Sequence, residues 1–375
     1  MGRKYFKDLL MYEETLFKDD RIFDLDYIPK DFNYRDTQLS EIAFCLRPAI
    51  KGGRPANAMV TGPPATGKTT AIKLMFEEIE NQTDKIACVH INCQVHTSKF
   101  SVFSQIHKKI VGHLPPETGV PFSRVYDRIF KKLLKDNKSL VVALDDMNYL
   151  FYDRYVNDIL YQILRAHELY PGVKTAIVGV ISDLEFNYKL DMRISSTYKP
   201  QSIFFQPYSK KEIKSILKDR AKLGLYPDVI SDDILELIAN HTFDGGDLRV
   251  GIELLRMSTL NAETDASKII DAKHVEAALS TSRLMNLSNI LQTLDTGELE
   301  LMKMISKVDK MQSGELFKIF EKNRKESYTK FYRSLDKLEA LRLIDTKFKG
   351  KGMKGRTREI IARFMMDEIN KALEK

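Results

Sequence analysis

The sequence predicts an α/β domain built on a parallel sheet, followed by an all-helical segment and a small C-terminal domain of helices and a hairpin. Three observations predict this fold. Short apolar strand patterns alternate with helical patterns over residues 58–181, which is typical of a parallel sheet covered by helices. Helical periodicity then dominates residues 208–274. From residue 290 onward, short helices precede two strand patterns joined by a basic, glycine-rich turn.

The first strand pattern leads into a loop bounded by glycines. The apolar stretch Ala58–Val60 precedes this loop, and a helical pattern beginning at Thr70 follows it. Strand, loop and helix in this order are the context of a phosphate-binding P-loop. Its backbone N–H groups and the helix N-terminus are expected to surround phosphates. Lys68 is expected to reach the β- and γ-phosphates, and the Thr69 hydroxyl to hold Mg²⁺. The predicted phosphate-binding residues are Gly62, Pro63, Pro64, Ala65, Thr66, Gly67, Lys68, Thr69 and Thr70.

A second strand pattern ends in two acidic residues. Ser139–Leu144 is a continuous apolar run, and Asp145 and Asp146 follow it directly. A buried parallel strand delivers such carboxylates to the carboxyl edge of the sheet, where ligands bind. Asp145 is therefore predicted to be the second Mg²⁺ ligand. Asp146 is predicted to orient or deprotonate the attacking water.

Four residues of metal-ligand type lie close together in the chain, at Cys88, His90, Cys93 and His96. However, Ala87–Cys93 alternates like a strand, which sends Cys88 and Cys93 to opposite faces. Zinc ligands must converge tetrahedrally, so we predict that these cysteines pack in the core. With only three cysteines the chain has no disulfide framework, which favours a reducing cytoplasm.

Positive charge is concentrated near the C-terminus. From Asn286 onward, 20 lysines and arginines face 14 acidic residues, whereas the preceding residues carry 39 and 38. A local basic surface predicts salt-dependent binding of phosphates. No apolar run reaches membrane-spanning length, and residues 1–10 lack the apolar core of a signal peptide. The charge by itself fits either a nucleic-acid partner or a solvated face, and no membrane partner is expected.

The C-terminal residues predict three helices. Thr296–Ile305 and Ser313–Phe320 have helical patterns, and Ser327 is the expected cap of a third helix that runs to about Leu341. In the third helix Phe331, Leu335 and Leu338 share one face, which is the predicted core face. The polar residues predicted to lie away from that face, and so to contact DNA, are Thr329, Lys330, Arg333 and Lys337.

A basic hairpin follows the three helices. Two strand patterns, Arg342–Phe348 and Arg356–Ile361, flank the glycine-rich segment Lys349–Gly355. Helices followed by such a hairpin predict a winged helix, which places its third helix in the major groove and its wing on the backbone or minor groove. Winged helices also bind proteins, but the charge on the wing favours double-stranded DNA. The predicted DNA contacts of the wing are Lys347, Lys349, Lys351, Lys354, Arg356 and Arg358.

Taken together, these features resemble the AAA+ ATPases, and specifically the archaeal initiators of the Orc/Cdc origin-recognition type. The resemblance extends over nearly the whole chain and implies ATP or ADP with Mg²⁺ as cofactors. The segment Tyr27, Ile28 and Pro29, together with Tyr34 and Arg35, resembles the adenine-proximal segment of that family. Further matching segments are Asp191–Ser196, Phe205–Ser209 with Tyr208 near the nucleotide, and Gly246–Arg249.

The resemblance also assigns three residues around the γ-phosphate. It places Ser182 at the sensor-1 position, Arg193 at the arginine-finger position and Arg249 at sensor 2. Arg193 would complete the site of a neighbouring subunit, and Arg249 would contact the γ-phosphate of its own. Two departures matter, because the family usually has Glu where Asp146 stands and Asn where Ser182 stands. Both place the attacking water poorly, so we predict a slow, switch-like ATPase with a turnover no higher than about 1 s⁻¹.

The resemblance implies three domains and a function. Residues 1–206 would form the AAA+ core, with a helical insertion near 95–134 that either touches DNA or is a surface hairpin. Residues 207–285 would form the helical lid, and residues 286–375 the winged-helix domain. The implied function is ATP-dependent replication initiation in the cytoplasm, at the nucleoid, with origin duplex DNA, the replicative helicase and other initiator subunits as partners. A branch-migration ATPase motor and a DNA-binding transcriptional regulator remain alternatives.

Overall fold

A computed structural model describes residues 15–116, 118–152, 155–182, 190–308, 310–324, 327–348 and 358–374. The chain divides between Arg256 and Met257 into two compact units. None of the helices formed by the described residues is long and apolar enough to cross a membrane.

The first unit is built on a five-stranded parallel sheet with the strand order β2–β3–β4–β1–β5. The strands are β1 (Ala58–Thr61), β2 (Ile86–Asn92), β3 (Ser139–Asp145), β4 (Thr175–Ile181) and β5 (Gln201–Phe204). The central strands β3 and β4 are buried along their whole length. Because β1 lies between β4 and β5, the loop after β1 opens at a point where the strand order changes, and ligands bind at such points.

Helices surround this sheet and continue beyond it. A short 3-10 helix, Asp20–Phe23, precedes α1 (Asp36–Ile50), α2 (Lys68–Gln82), α3 (Lys99–Val111) and α4 (Phe122–Lys135). Next come α5 (Asn148–Tyr152), α6 (Val156–Leu164), α7 (Ala166–Leu169) and α8 (Met192–Ser195). The last three helices are α9 (Lys210–Gly224), α10 (Asp232–Gly245) and α11 (Leu248–Thr264), the last of which runs past the division at residue 256.

Between β3 and β4, α6 and α7 are two helices and not one. They are separated at Arg165, whose φ of −103° and ψ of 12° depart from helical values. The segment near residues 95–134, predicted to be an insertion, contains α3 and α4, which pack through aromatic rings. The ring centroid of Phe103 on α3 lies 5.1 Å from that of Phe122 and 5.7 Å from that of Tyr126, both on α4.

Alternation along the strands divides the core into two layers. On β3, Val142 and Leu144 pack into one cluster of buried residues and Val141 into the other. Cys88 belongs to the second cluster and Cys93 to the first. The two thiols are buried and free, and the prediction that they lie on opposite faces of the sheet is confirmed. Among the described residues, no group of three His, Cys, Asp or Glu side chains could hold a metal ion.

The second unit contains a winged-helix domain. Its elements after α11 are α12 (Ala272–Gln292), α13 (Thr296–Ile305), β6 (Lys310–Gln312), α14 (Ser313–Arg324), α15 (Tyr328–Ala340), β7 (Ile344–Phe348), β8 (Arg358–Ala362) and α16 (Met366–Leu373). The strands form an antiparallel sheet with the order β6–β8–β7. The helices α13, α14 and α15 and the hairpin strands agree with the sequence patterns, whereas β6 and α16 were not predicted.

The third helix of this domain, α15, has the predicted cap and core face. Ser327 caps it, since its hydroxyl accepts the backbone N–H of Lys330 at 3.4 Å. Phe331, Leu335 and Leu338 are fully buried. Of the predicted wing contacts, Lys349, Lys351, Lys354 and Arg356 lie outside the described residues.

Candidate functional site

Two glycines shape the loop between β1 and α2. Gly62 has a φ of +152°, and a Cβ atom there would lie 2.3 Å from the carbonyl oxygen of Phe205. Gly67 has a φ of +91°, and its Cβ would lie 2.8 Å from both the Phe32 ring and the Tyr208 hydroxyl. Neither backbone conformation nor the available space admits a side chain. The loop can therefore keep this path only with glycine at both positions.

Lys68 folds back into this loop. The residue is 4% exposed, and its Nζ donates to the carbonyl oxygens of Gly62 at 2.8 Å and Pro63 at 2.6 Å. Burial lowers the pKa of Lys68 to about 8, although the carboxylates of Asp146 and Asp145 oppose this shift. A phosphate would offer this ammonium group a full negative charge in place of two carbonyl dipoles.

This pKa predicts a rise in stability with pH. Without nucleotide or metal, the free energy of unfolding should increase as the pH rises from about 8 towards the ordinary lysine value of 10.5. In this window Lys68 is protonated in the unfolded chain and largely neutral in the folded one, so the unfolded state binds more protons and stability rises with pH. Denaturant titrations across the window check this. A Lys68→Met variant should lack this contribution, and equal pH slopes for both proteins would contradict the assignment.

Thr69 and Asp145 form the candidate metal site. The Thr69 hydroxyl donates to Asp145 Oδ2 at 2.8 Å, and His90 Nε2 lies 2.9 Å from the same oxygen. Burial raises the pKa of Asp145, but the hydrogen bonds from His90 and Thr69 outweigh it and the net pKa is lowered. A hydroxyl and an ionised carboxylate are oxygen ligands of the kind Mg²⁺ takes alongside phosphate oxygens. The residues present thus fit the predicted ion.

Asp146 is held by residues that follow two other strands, β4 and β2. Its backbone is left-handed, with a φ of 52°. Oδ1 accepts the Ser182 hydroxyl at 3.1 Å, and Oδ2 accepts the Gln94 amide at 2.8 Å. The resemblance predicts Ser182 near the γ-phosphate, but nothing in the sequence marks Gln94. The contact of His90 with Asp145 is likewise unpredicted and arises because β2 pairs with β3.

The two candidate arginines occupy different surroundings. Arg249, in the first turn of α11, pairs with Asp247 through a 2.7 Å contact between Nη2 and Oδ2. This hydrogen bond raises the pKa of Arg249. Asp247 Oδ1 also accepts the backbone N–H of Arg249 at 2.9 Å, as a helix cap does. Arg193 is exposed on α8 and does not line the cavity beside the P-loop.

A cavity of about 1740 Å³ runs along the P-loop, which exceeds the volume of most small-molecule sites. The predicted residues that line it are Tyr27, Ile28, Pro29, Pro63, Pro64, Ala65, Gly67, Lys68, Thr69, Thr70, Asp146, Ser182, Tyr208 and Arg249. Lining residues that sequence reasoning missed include Phe32, Lys73, Gln94, Asn148, Arg220 and Lys222. The predicted residues Arg35, Gly62, Thr66, Asp145 and Arg193 are not part of this lining.

Arg35 lies behind the loop and not on the cavity wall. It is fully buried, its Nε donates to the carbonyl oxygen of Thr66 at 3.0 Å, and its Nη2 donates to that of Gln206 at 2.8 Å. Its guanidinium carbon stacks 3.7 Å from the centroid of the Tyr208 ring. This placement favours a role in holding the loop, in place of the direct nucleotide contact that the sequence suggested.

Some of the predicted DNA-contacting residues form ion pairs or hydrogen bonds within their own domain. Lys337 pairs with Glu298 at 2.6 Å. Arg358 bonds to Asp336 and lies 5.6 Å from the centroid of the Tyr332 ring. The predicted contacts that are exposed to solvent are Thr329, Lys330, Arg333, Lys337 and Lys347.

The fold and this site define a class of protein, the AAA+ ATPases. Residues 32–173 match the model of the AAA ATPase domain. Residues 214–280 match the model of the Cdc6 AAA+ ATPase-type lid domain.

Full-length relatives then identify the family. The chain is 47% identical to ORC1-type DNA replication protein 2 of Methanothermobacter thermautotrophicus, over 98% of each chain. It is 42% identical to the protein of the same name from Methanosarcina acetivorans, over 98% of this chain and 99% of the relative. The chain belongs to the family of archaeal ORC1-type DNA replication proteins, as the sequence analysis predicted.

Solved structures confirm the predicted fold class. The Aeropyrum pernix ORC1 protein, solved in complex with DNA, aligns with a TM-score of 0.75 at 23% identity, over 96% of this chain and 97% of that one. Cdc6p from Pyrobaculum aerophilum aligns with a TM-score of 0.64 at 23% identity, over 96% and 99%.

Proposed function

We propose that this protein is an ATP-dependent DNA replication initiator that binds origin duplex DNA through its winged-helix domain. One observation supports this most directly. Lys68, Thr69, Asp146 and Arg249 line one cavity, and Thr69 is hydrogen-bonded to Asp145 beside it. The second unit of the same chain contains a winged helix. Full-length relatives named as DNA replication proteins support the biological role.

In the proposed mechanism each residue has a distinct task. Lys68 exchanges its two carbonyl partners for the β- and γ-phosphates of ATP. Mg²⁺, held by Thr69 and Asp145, would neutralise phosphate charge. Asp146 orients the attacking water, and Arg249 reports the γ-phosphate to the helices that follow the core. The nucleotide state then sets how the winged helix is presented to DNA.

Two finer features belong to the same proposal. Arg193, exposed on α8, would complete the site of a neighbouring initiator subunit. The assembled initiator would help to recruit the replicative helicase. The charge pattern of the wing and the exposed Lys330 and Arg333 of α15 support duplex DNA as the shared partner of these subunits.

Slow hydrolysis follows from the short side chain of Asp146. An Asp146→Glu variant should hydrolyse ATP at least about tenfold faster, because one more methylene advances the carboxylate towards the γ-phosphate and catalysis is sensitive to shifts near 1 Å. Phosphate release under saturating ATP measures this. Asp146→Asn is the matched control and should be slower than the wild type. An unchanged or lower rate for Asp146→Glu, with ATP affinity intact, would contradict the explanation.

The function itself is tested by DNA binding. The purified protein is titrated with an origin duplex from its own genome and with an unrelated duplex, in ADP and in ATP. A preference of ~10³ or more for the origin, in the usual range for specific binding, supports the initiator. Preference for promoter duplexes would favour a regulator. Fast hydrolysis stimulated by any duplex would favour a motor.

A further inference from the structure

The N-terminal segment, defined as residues 15–29, is bonded to the end of helix α9 and the residues that follow it. The carbonyl oxygen of Gly224 accepts the backbone N–H groups of Lys18 at 2.8 Å and Asp19 at 3.2 Å. The N–H of Tyr226 donates to the carbonyl oxygen of Leu16 at 3.1 Å, and an antiparallel bridge pairs Phe17 with Leu225. These backbone bonds join residues about two hundred positions apart in the chain.

Side chains of the N-terminal segment also pack against helix α9. Phe23 is fully buried, and a Cβ atom added to Gly224 would lie 2.4 Å from its ring. The rings of Phe17 and Phe23 pack edge to face with centroids 5.6 Å apart. The segment is therefore seated against α9 with no room for a side chain at residue 224.

Arg220, on the same helix, holds the part of the segment nearest the cavity. Its guanidinium donates to the carbonyl oxygen of Ile22 and, at 3.4 Å, to that of Tyr27. The guanidinium carbon also lies 4.4 Å from the centroid of the Tyr27 ring. Burial lowers the pKa of Arg220, yet an arginine keeps its charge under such a shift. Two contacts from this side chain thus position Tyr27, and a third holds the backbone at Ile22.

The lining of the cavity offers two kinds of chemistry. Lys68, Thr69, Asp146 and Arg249 suit phosphates and a cation. Other lining residues are apolar and of the kind that packs against a planar base, although charged residues such as Asp219 also line the cavity. The apolar residues include Ile22, Tyr27, Ile28, Pro29, Ile216 and Leu223.

We propose that Arg220 is a positioning residue for the base of the nucleotide, because it ties the base-binding wall to helix α9. This inference rests on the nucleotide binding proposed above. A specific consequence follows. The bound base stabilises the position of helix α9 relative to the P-loop, whether or not a γ-phosphate is present. Arg249 responds to the phosphates, so the two arginines act at opposite ends of one ligand.

Calorimetric titrations of the full chain with ATP, ADP and inorganic tripolyphosphate, each with Mg²⁺, separate these roles. Arg220→Gln should weaken ATP and ADP about tenfold each, since a partly buried cation–π contact is worth roughly 1–2 kcal/mol. Tripolyphosphate, which has no base, should bind within about twofold of wild type. Arg249→Gln should show the other pattern, with weaker ATP and tripolyphosphate and little change for ADP. Lys218→Gln is the matched control, because it removes one charge from the same helix at an exposed ion pair with Asp232.

Equal weakening of all three ligands by Arg220→Gln would overturn the inference, because that pattern indicates general damage to the fold. Unchanged affinity for ATP and ADP would also overturn it. Should Arg220→Gln not fold, Arg220→Lys keeps the charge near Tyr27 but cannot reach both carbonyls, and the same selective loss is expected at about threefold. A wild-type protein that binds none of the three ligands would refute the proposed nucleotide function itself. If the wild type instead binds all three ligands while neither Arg220 variant loses affinity selectively for ATP and ADP, that result would refute only the role of Arg220.

Discussion

Replacing Lys68 with methionine is expected to weaken ATP and ADP binding by about 100-fold or more. The change keeps an unbranched apolar stem that is shorter by one heavy atom. It removes the only cation whose described position lies inside the loop, where Nζ contacts the carbonyls of Gly62 and Pro63. Truncating one partner of a buried charge pair costs roughly 2–5 kcal/mol. Calorimetric titration measures the affinity, and nucleotide-induced thermal stabilisation measures the same loss independently.

The control for this prediction is Lys85→Met, which removes one exposed lysine from the same unit and should bind nucleotide like the wild type. The Lys68→Met protein without nucleotide should be no less stable than the wild type near neutral pH, because a buried ammonium group is costly. An affinity within about threefold of wild type would show that the loop does not bind phosphate through Lys68.

Replacing Lys349, Lys351 and Lys354 together with alanine is expected to weaken duplex DNA binding at least about tenfold at moderate salt. In the sequence these lysines lie between β7 and β8. The two strands pair as far as Phe348 and Arg358. If each lysine neutralises one phosphate, the slope of log affinity against log salt should fall by about 3. Fluorescence anisotropy with a labelled duplex at several salt concentrations measures both quantities.

A matched variant removes the same charge from elsewhere in the second unit. Lys268, Lys307 and Lys371 are exposed, and their joint replacement with alanine should leave the salt slope nearly unchanged. ATP binding should be unaffected in both triple variants, because the cavity is lined by residues of the first unit. Equal losses of DNA affinity in the two variants would show that net charge, and not the wing, controls binding.

Sequence alone determined the features that depend on neighbouring residues. The order of strand, glycine-bounded loop and helix fixed the P-loop, because each of its requirements is local. A continuous apolar run ending in two acids fixed β3 and its carboxylates. Alternation within Ala87–Cys93 placed the two thiols on opposite faces, and a serine cap with an apolar stripe fixed α15. In each case backbone geometry and hydrophobic periodicity act over only a few residues.

Only the tertiary structure decided which distant residues meet at the site. The pairing of β2 with β3 brought His90 to Asp145 and Gln94 to Asp146, and no periodicity in the sequence marks either contact. Packing also placed Arg35 behind the loop and not on the cavity wall. It brought the N-terminal segment against α9, where Arg220 contacts Ile22. Such contacts depend on strand order and on how helices seat against one another. Many arrangements satisfy the same local pattern, and the buried surface of the whole unit selects one of them.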